Sequence, residues 1–329
     1  MAPAKRGIYQ VFIQKINKEQ YLSLQTEDLF QDQGRYFLDI VSFLLDKVLP
    51  VRISGLKILV KPNLLKARDP QCVTSPLLIM AVVIYLKKRG AVVTVGDSPA
   101  FGATRQVLKG LGILEPLKDL GVPISSFSKP HKVKLPCGVT VSISKKALDT
   151  QLIINLPRLK AHSQLGVTGA VKNLYGTVPG FRKALYHVLY GKNPSLFARI
   201  IIEIGQALPK TINIMDACLC MHETGPTGGK LIWMGTLGAS RSSHALDTAY
   251  YHIIGTTPQH VPIWQEARRL GEQGGFLSNL SFPWLSIKET ETDTFILPQR
   301  LEPITFNPIR FIKGRVRSFV QSITSFELP

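Results

Sequence analysis

The sequence predicts an α/β protein: a largely parallel or mixed sheet flanked by helices, followed by a short C-terminal extension. Three observations carry that expectation. Short apolar runs of strand length alternate with longer amphipathic segments of helix length through most of the chain. One strand–helix–strand unit, over residues 56–95, has the punctuation of a parallel pair joined by a right-handed crossover. Hydrophobic residues make up 45% of 329 residues, enough to bury a core and too many for a disordered chain.

The elements follow in order. Residues 10–16 read as a strand and 35–49 as an amphipathic helix ended by Pro50. The strand 56–60 stops at Lys61-Pro62-Asn63, where proline removes a ladder donor. Ser75 is placed to cap the next helix, Pro76 fits its first position, and Lys87-Lys88-Arg89-Gly90 closes it. A buried strand at 91–95 then runs into Gly96-Asp97-Ser98-Pro99. A helix at 105–111 ends at Gly112, and shorter strands are expected at 122–127, 139–143 and 151–156. A glycine-rich stretch, 166–180, leads to a helix at 195–208, strands at 211–215 and 231–239, and a helix at 242–254 closed by Gly255. No internal repeat at a fixed period is present.

This order places an α/β core in residues 1–275 and an extension in 276–329. The extension is punctuated by Pro283, Pro298, Pro303 and Pro308. Ile309, Ile312, Val316, Phe319, Val320 and Ile323 then recur at helical spacing, with Arg310, Lys313 and Arg317 elsewhere on the wheel. The expected element is an amphipathic helix that docks its apolar face on the core; a basic helix for a membrane or partner is the other reading.

The chain carries 40 Lys+Arg against 22 Asp+Glu, a formal net charge of +18. Residues 56–150 hold 15 basic and 5 acidic groups and residues 151–275 hold 12 and 6, whereas the two flanks are nearly neutral. Long Lys/Arg runs, which would favour a nucleic-acid groove, are absent. The charge therefore points first to a site for a small anion, with nucleic acid an unfavoured alternative. Four cysteines, at 72, 137, 218 and 220, are too few for a disulfide scaffold, and no C-x-x-C pair prepares a zinc or iron–sulfur site. Residues 1–14 lack the continuous apolar stretch of a secretory signal, and the longest apolar run, 77–86, is about half a membrane span. The expected setting is a reducing cytoplasm, with no transmembrane segment.

Several familiar motifs fail on inspection. Gly228-Gly229-Lys230 resembles the end of a phosphate loop, but position 224 is Thr and Leu231 stands where Ser or Thr is needed. His222-Glu223 begins like a zinc-protease helix, yet Pro226 occupies the second histidine position. No G-x-G-x-x-G follows a strand and no G-x-S-x-G elbow occurs.

What remains is a set of polar residues placed just after apolar strands, where open α/β sheets bind ligands. Lys61 and Asn63 follow one strand, Asp97 and Ser98 the next, Lys160 and His162 a third, and Asp216 a fourth. Lys160 and His162 lie two apart, so they share a face of an extended segment. Thr168 and Lys172 lie four apart, the spacing of one helix face, with Asn173 beside them. Lys61, Lys160 and Lys172 would neutralise an anion, while Asn63, Ser98, Thr168 and Asn173 would orient it. His162 is the candidate proton carrier, partnered by Asp97 or Glu223. His162, His187, His222, Asp97, Asp216, Glu223 and Asp247 supply metal-ligand types, but none has diagnostic spacing, so a metal is left open. His244 and Asp247, three apart on one helix, are placed to pair with each other.

The run of motifs KPN, TSP, GDSP, LPRLKAHS, VTGAVKNLYG, MDA, GPTGG and ALD, spread over residues 58–270, resembles the domain of unknown function 362 family. Its middle block, LPRLKAHSQLGVTGAVKNLYG, is the most specific part. The resemblance implies an α/β core and a link to redox chemistry, because some members carry an appended ferredoxin-type module with two four-cysteine motifs. No cysteine follows Cys220 here, so an iron–sulfur cluster of this chain's own is not expected. The family's acidic residue before the Gly-Pro would be met here by Glu223, from a shifted position. The sequence thus supports a basic sheet-edge site for a small anionic metabolite or cofactor, with acid–base chemistry. The alternative is a redox or iron–sulfur accessory that works with a separate ferredoxin.

Overall fold

Leu152 to Leu156, Leu-Ile-Ile-Asn-Leu, is buried at every position, as a strand covered on both faces must be. It sits at the middle of the sheet seen in a computed structural model, which describes residues 8–66, 70–100, 102–290 and 294–304. The strands are β1 (Tyr9–Lys15), β2 (Lys57–Pro62), β3 (Val92–Asp97), β4 (Ile124–Ser126), β5 (Pro130–Lys134), β6 (Thr140–Ser144), β7 (Leu152–Leu156), β8 (Arg158–His162), β9 (Gly166–Thr168), β10 (Thr211–His222), β11 (Lys230–Ser240) and β12 (Leu280–Ser281).

Ten of them form one mixed sheet in the order β12-β1-β11-β10-β7-β2-β3-β4, with β8 beside the far half of β10 and β9 beside β8. The run β10-β7-β2-β3-β4 is parallel, as is β8 on β10; β11 joins β10 and β1 antiparallel. The expected crossover is present, with β2 and β3 parallel and the helix Pro76–Lys88 between them. β5 and β6 pair only with each other, so the strand expected at 139–143 forms a separate ribbon.

Alternation along the strands sorts the core into layers. Ile58, Val60, Leu152 and Ile154 face the helices Arg35–Val48 and Pro76–Lys88. Leu59 and Ile153 face the other way, onto the helix Pro194–Gln206. The antiparallel end has its own core, where Val11, Ile13, Met215 and Ala217 meet the helix Ser243–Ile253. The helix Pro76–Lys88 is buried from Leu77 to Leu86, which explains an apolar run without amphipathic relief. No helix among the described residues is long and apolar enough to cross a membrane.

Two expectations change. The strand expected to end at residue 215 continues to His222, so Asp216 lies in mid-strand and not at a sheet edge. A carboxylate is tolerated there because Arg158 Nη1 meets Asp216 Oδ2 at 2.5 Å and Ser75 N donates to the same oxygen at 2.8 Å. Ser75 precedes its helix as expected, but its hydroxyl makes no cap; Tyr21 Oη donates to it at 2.7 Å. The amphipathic segment 309–326 lies outside the described residues.

Candidate functional site

Parallel strands present their carboxyl ends at one edge, and here β2, β3 and β7 do so together. β2 ends on Lys61-Pro62 and β3 on Asp97, while β8 carries Lys160 and His162 along the same wall. Together with the turn and short helix after β9 they enclose a cavity of about 560 Å³. Lys61, Asn63, Asp97, Ser98 and Lys160 line it, as do His162, Thr168, Lys172 and Asn173. Of the residues expected to bind the anion or move its protons, Glu223 stands outside this wall, where its carboxylate takes a 2.9 Å contact from Lys230 Nζ.

The floor is a buried ion pair. Lys61, fully buried, places Nζ 2.8 Å from Asp97 Oδ1 and donates to Pro62 O at 3.1 Å and Asn173 Oδ1 at 3.4 Å. Asp97 Oδ2 accepts from Leu64 N at 2.8 Å. Desolvation weighs on such a pair wherever its bonding capacity is not fully met, and among the described residues Asp97 Oδ1 has the Lys61 ion-pair contact but no hydrogen bond. Gly176 packs directly on it: a Cβ there would fall 2.6 Å from Lys61 Nζ and 2.7 Å from Asp97 Oδ1.

A chain of amides fixes the rest. Asn63 Nδ2 donates to Asn173 Oδ1 at 3.0 Å, Asn173 Nδ2 to Asn155 Oδ1 at 2.8 Å, and Asn155 Nδ2 to Asn213 Oδ1 at 2.8 Å. The ladder runs from the cavity across the sheet and locks the amide orientations in sequence. Asn63 Oδ1 in turn accepts from Lys160 Nζ at 3.0 Å, and Cys72 O accepts from the same ammonium at 2.6 Å.

The short helix Ala170–Leu174, which carries Lys172 and Asn173, is capped by Asp247 from the helix Ser243–Ile253. Asp247 accepts from Ala170 N and, at 3.0 Å, from Val171 N, and burial pushes its carboxyl up to about 7. Gly169 leaves room for this carboxylate, which a Cβ would meet at 2.2 Å. Asp247 is thus a cap and not a partner of His244, which instead lies 3.9 Å from Glu272.

Lys172 lies over the Tyr175 ring at 4.7 Å and makes no hydrogen bond or ion pair among the described residues. Burial, with Lys183, Lys160 and Lys61 nearby, lowers it to about 7. Lys183, whose ammonium donates to Ser98 O, is lowered to about 8 by burial against the opposing pull of Asp97. His162 is held well below its ordinary value by burial and then by Lys172 and Lys160, so it is neutral at pH 7. Its Nδ1 accepts from Gln164 N at 3.1 Å, which places the proton on Nε2. His187 is pushed down to about 3 by burial and by Lys172 and Lys183, and packs against Phe197 with ring centroids 4.6 Å apart and planes tilted by 52°. Two lysines and two histidines of one wall therefore all hold protons weakly, chiefly because the wall is desolvated and secondarily because its cations repel one another.

Lys183 was not among the expected site residues. It lies with His187 on the helix Arg182–Tyr190, in a stretch to which the sequence reading assigned no element. The available signal was the spacing of Lys183 and His187, four apart and on one helix face. Thr168 and Lys172 do not share a helix face, because Thr168 ends β9; its hydroxyl donates to Lys160 O at 3.3 Å. Among the metal-ligand types, Asp216 is committed to Arg158 and His222 Nδ1 accepts from Ile296 N at 3.2 Å. No group of three or more His, Cys, Asp or Glu side chains suited to a metal ion occurs among the described residues.

With this geometry in place, comparison with known proteins adds three findings. Residues 58–252 match the family described as Domain of unknown function (DUF362), more than half of the chain. The chain belongs to this family. Every cavity residue on β2, β3, β8 and the helix Ala170–Leu174 falls inside the DUF362 match. A thylakoid-associated protein of Synechocystis sp. is 34% identical over 268 residues, 80% of this chain and 83% of its own. The chain is also similar to the lactate racemase apoprotein from Thermoanaerobacterium thermosaccharolyticum, at 16% identity and a TM-score of 0.45. That match covers 75% of this chain and 57% of the other.

Proposed function

We propose that the cavity binds a small anionic metabolite or cofactor, with His162 as the proton carrier at the bound ligand. The observation that carries this reading is the convergence of Lys61, Lys160, Lys172 and Lys183 on one cavity lined by two carboxylates, buried Asp97 and exposed Glu302. An ammonium about 4 Å from a bound anion contributes about 4 kcal/mol at an effective dielectric of about 20, far more than in bulk water. Asn63 and Asn173, held by the amide ladder, would orient the ligand without rearranging. Neutral His162 would direct its Nε2–H at the bound ligand and carry a proton onward once one reaches Nδ1. A cavity of about 560 Å³ has the size of a metabolite site, which favours the small-anion reading over nucleic acid.

The setting we propose is the cytoplasm, where the buried Cys72, Cys218 and Cys220 stay reduced. The thylakoid-associated relative makes a pool on a membrane surface the outcome that fractionation would reveal instead. An accessory role beside a separate ferredoxin predicts capture of such a protein in anaerobic pull-downs, which the anion reading does not require.

The test is native mass spectrometry of freshly purified protein, followed by thermal unfolding with phosphate, malonate, pyruvate, glyoxylate and 2-oxoglutarate. A co-purified small anion, or a ligand-dependent rise in Tm that is lost in Lys160→Met, is expected. No co-purified species and no shift with any of the anions would overturn the proposal.

A further inference from the structure

We propose that Lys172 is a nucleophile that condenses with the carbonyl group of a small anionic oxo acid to form a protonated imine in this cavity. The inference rests on the anion-binding reading above and names its substrate class. The four lysines of the wall are not equivalent. Lys61 is tied to Asp97, Lys160 donates to Asn63 and Cys72 O, and Lys183 donates to Ser98 O. Lys172 has instead only the Tyr175 face, 4.7 Å away, and none of the described acidic side chains holds its charge.

A lysine that merely neutralises an anion gains from staying charged, whereas an amine nucleophile must be neutral. Burial and three neighbouring ammonium groups supply that condition for Lys172, bringing it to about 7. The same neighbours offer charges for the acid group of the substrate, which would set its carbonyl beside Lys172. His162 lies in the same wall, with its proton on Nε2.

The step balances without an oxidant or reductant. The Lys172 nitrogen lone pair forms a C–N bond to the carbonyl carbon, and the π pair moves onto oxygen. The extra proton on the nitrogen passes through solvent water to that oxygen, which His162 Nε2–H steadies by a hydrogen bond, giving a neutral carbinolamine. The C–O bond then breaks as its oxygen takes one proton from the Lys183 ammonium, releasing water, and nitrogen forms the double bond of a protonated imine; Lys183 regains its proton from solvent.

The experiment incubates the full chain with glyoxylate or pyruvate, reduces with sodium borohydride, and maps the adduct by intact-mass and peptide mass spectrometry. Malonate, which has no ketone or aldehyde, reports anion binding separately through the shift in Tm. One reduced adduct per chain on Lys172 is expected, lost in Lys172→Arg and retained in Lys192→Arg, an exposed lysine outside the cavity. Trapping should rise through about pH 7 and then level off, where an ordinary lysine would keep gaining toward pH 10. A malonate shift without any adduct on Lys172, or an adduct only on another lysine, overturns the inference and leaves the anion site standing. No shift and no adduct overturns both.

Discussion

Replacing Lys61 by Met isolates the cost of the ion pair under the cavity. Lys61 and Asp97 are both buried, 2.8 Å apart, so the substitution leaves a carboxylate with Leu64 N–H as its remaining hydrogen-bond donor. Breaking a buried pair from one side costs about 3–5 kcal/mol. The surviving 2.8 Å bond from Leu64 N places the expected loss near the lower end, about 3 kcal/mol. For a chain of this size that corresponds to a fall in Tm of roughly 4 °C. The assay is urea unfolding of wild type, Lys61→Met, Asp97→Asn and the double variant, followed by fluorescence. Removing both charges should be far less harmful than the single changes imply, with a coupling of about 2 kcal/mol or more. Lys61→Met within about 0.5 kcal/mol of wild type, or strictly additive changes, would refute the role assigned to this pair.

Three further outcomes follow from the same geometry. Affinity for malonate should fall as pH rises from 6.5 to 9, because Lys172 and Lys183 lose their protons near 7 and 8; calorimetry at several pH values checks this. Gly176→Ala should weaken both stability and anion binding, since its Cβ would fall 2.6 Å from Lys61 Nζ; thermal unfolding with and without malonate reads both. Arg158→Met should cost about 3–5 kcal/mol of stability by stranding Asp216. Because that pair lies outside the cavity wall, the malonate-induced Tm shift of any folded Arg158→Met protein should match wild type.

Much of the site was legible because parallel strands end at one edge, so polar residues placed just after apolar runs are brought together. Lys61 and Asp97 lie at the ends of β2 and β3 with Asn63 and Ser98 just beyond them, and Lys160 and His162 alternate correctly on β8 to share the cavity. The sheet itself was readable from apolar periodicity, and β2, the helix Pro76–Lys88 and β3 follow the expected crossover. Other features depend on partners distant in sequence. Asp216 resembles a strand-end residue until Arg158, on a neighbouring strand, is seen to make mid-strand burial tolerable. Asp247 gave no sign that it would cap a helix more than seventy residues earlier in the chain. Glu223 followed a familiar-looking His-Glu, yet it turns to Lys230 across the β10–β11 hairpin. Lys183 was passed over and His187 stood out only as a metal-ligand type, because Leu185, Val188 and Leu189, which share their helix, are exposed and so give no core-facing pattern.

The central claim, that this cavity is built to receive an anion, is tested most directly by counting protons on binding. Calorimetric titration of malonate at pH 7.5, in buffers of different ionisation enthalpy, gives that number. With Lys172 near 7 and Lys183 near 8, the pair together lacks about one proton at this pH. Malonate, with two carboxylates and no carbonyl to set beside Lys172, restores both charges, so uptake of about one proton per malonate is expected, abolished when Lys172 and Lys183 are both replaced by Met. Binding with no proton uptake, or with proton release, would contradict it.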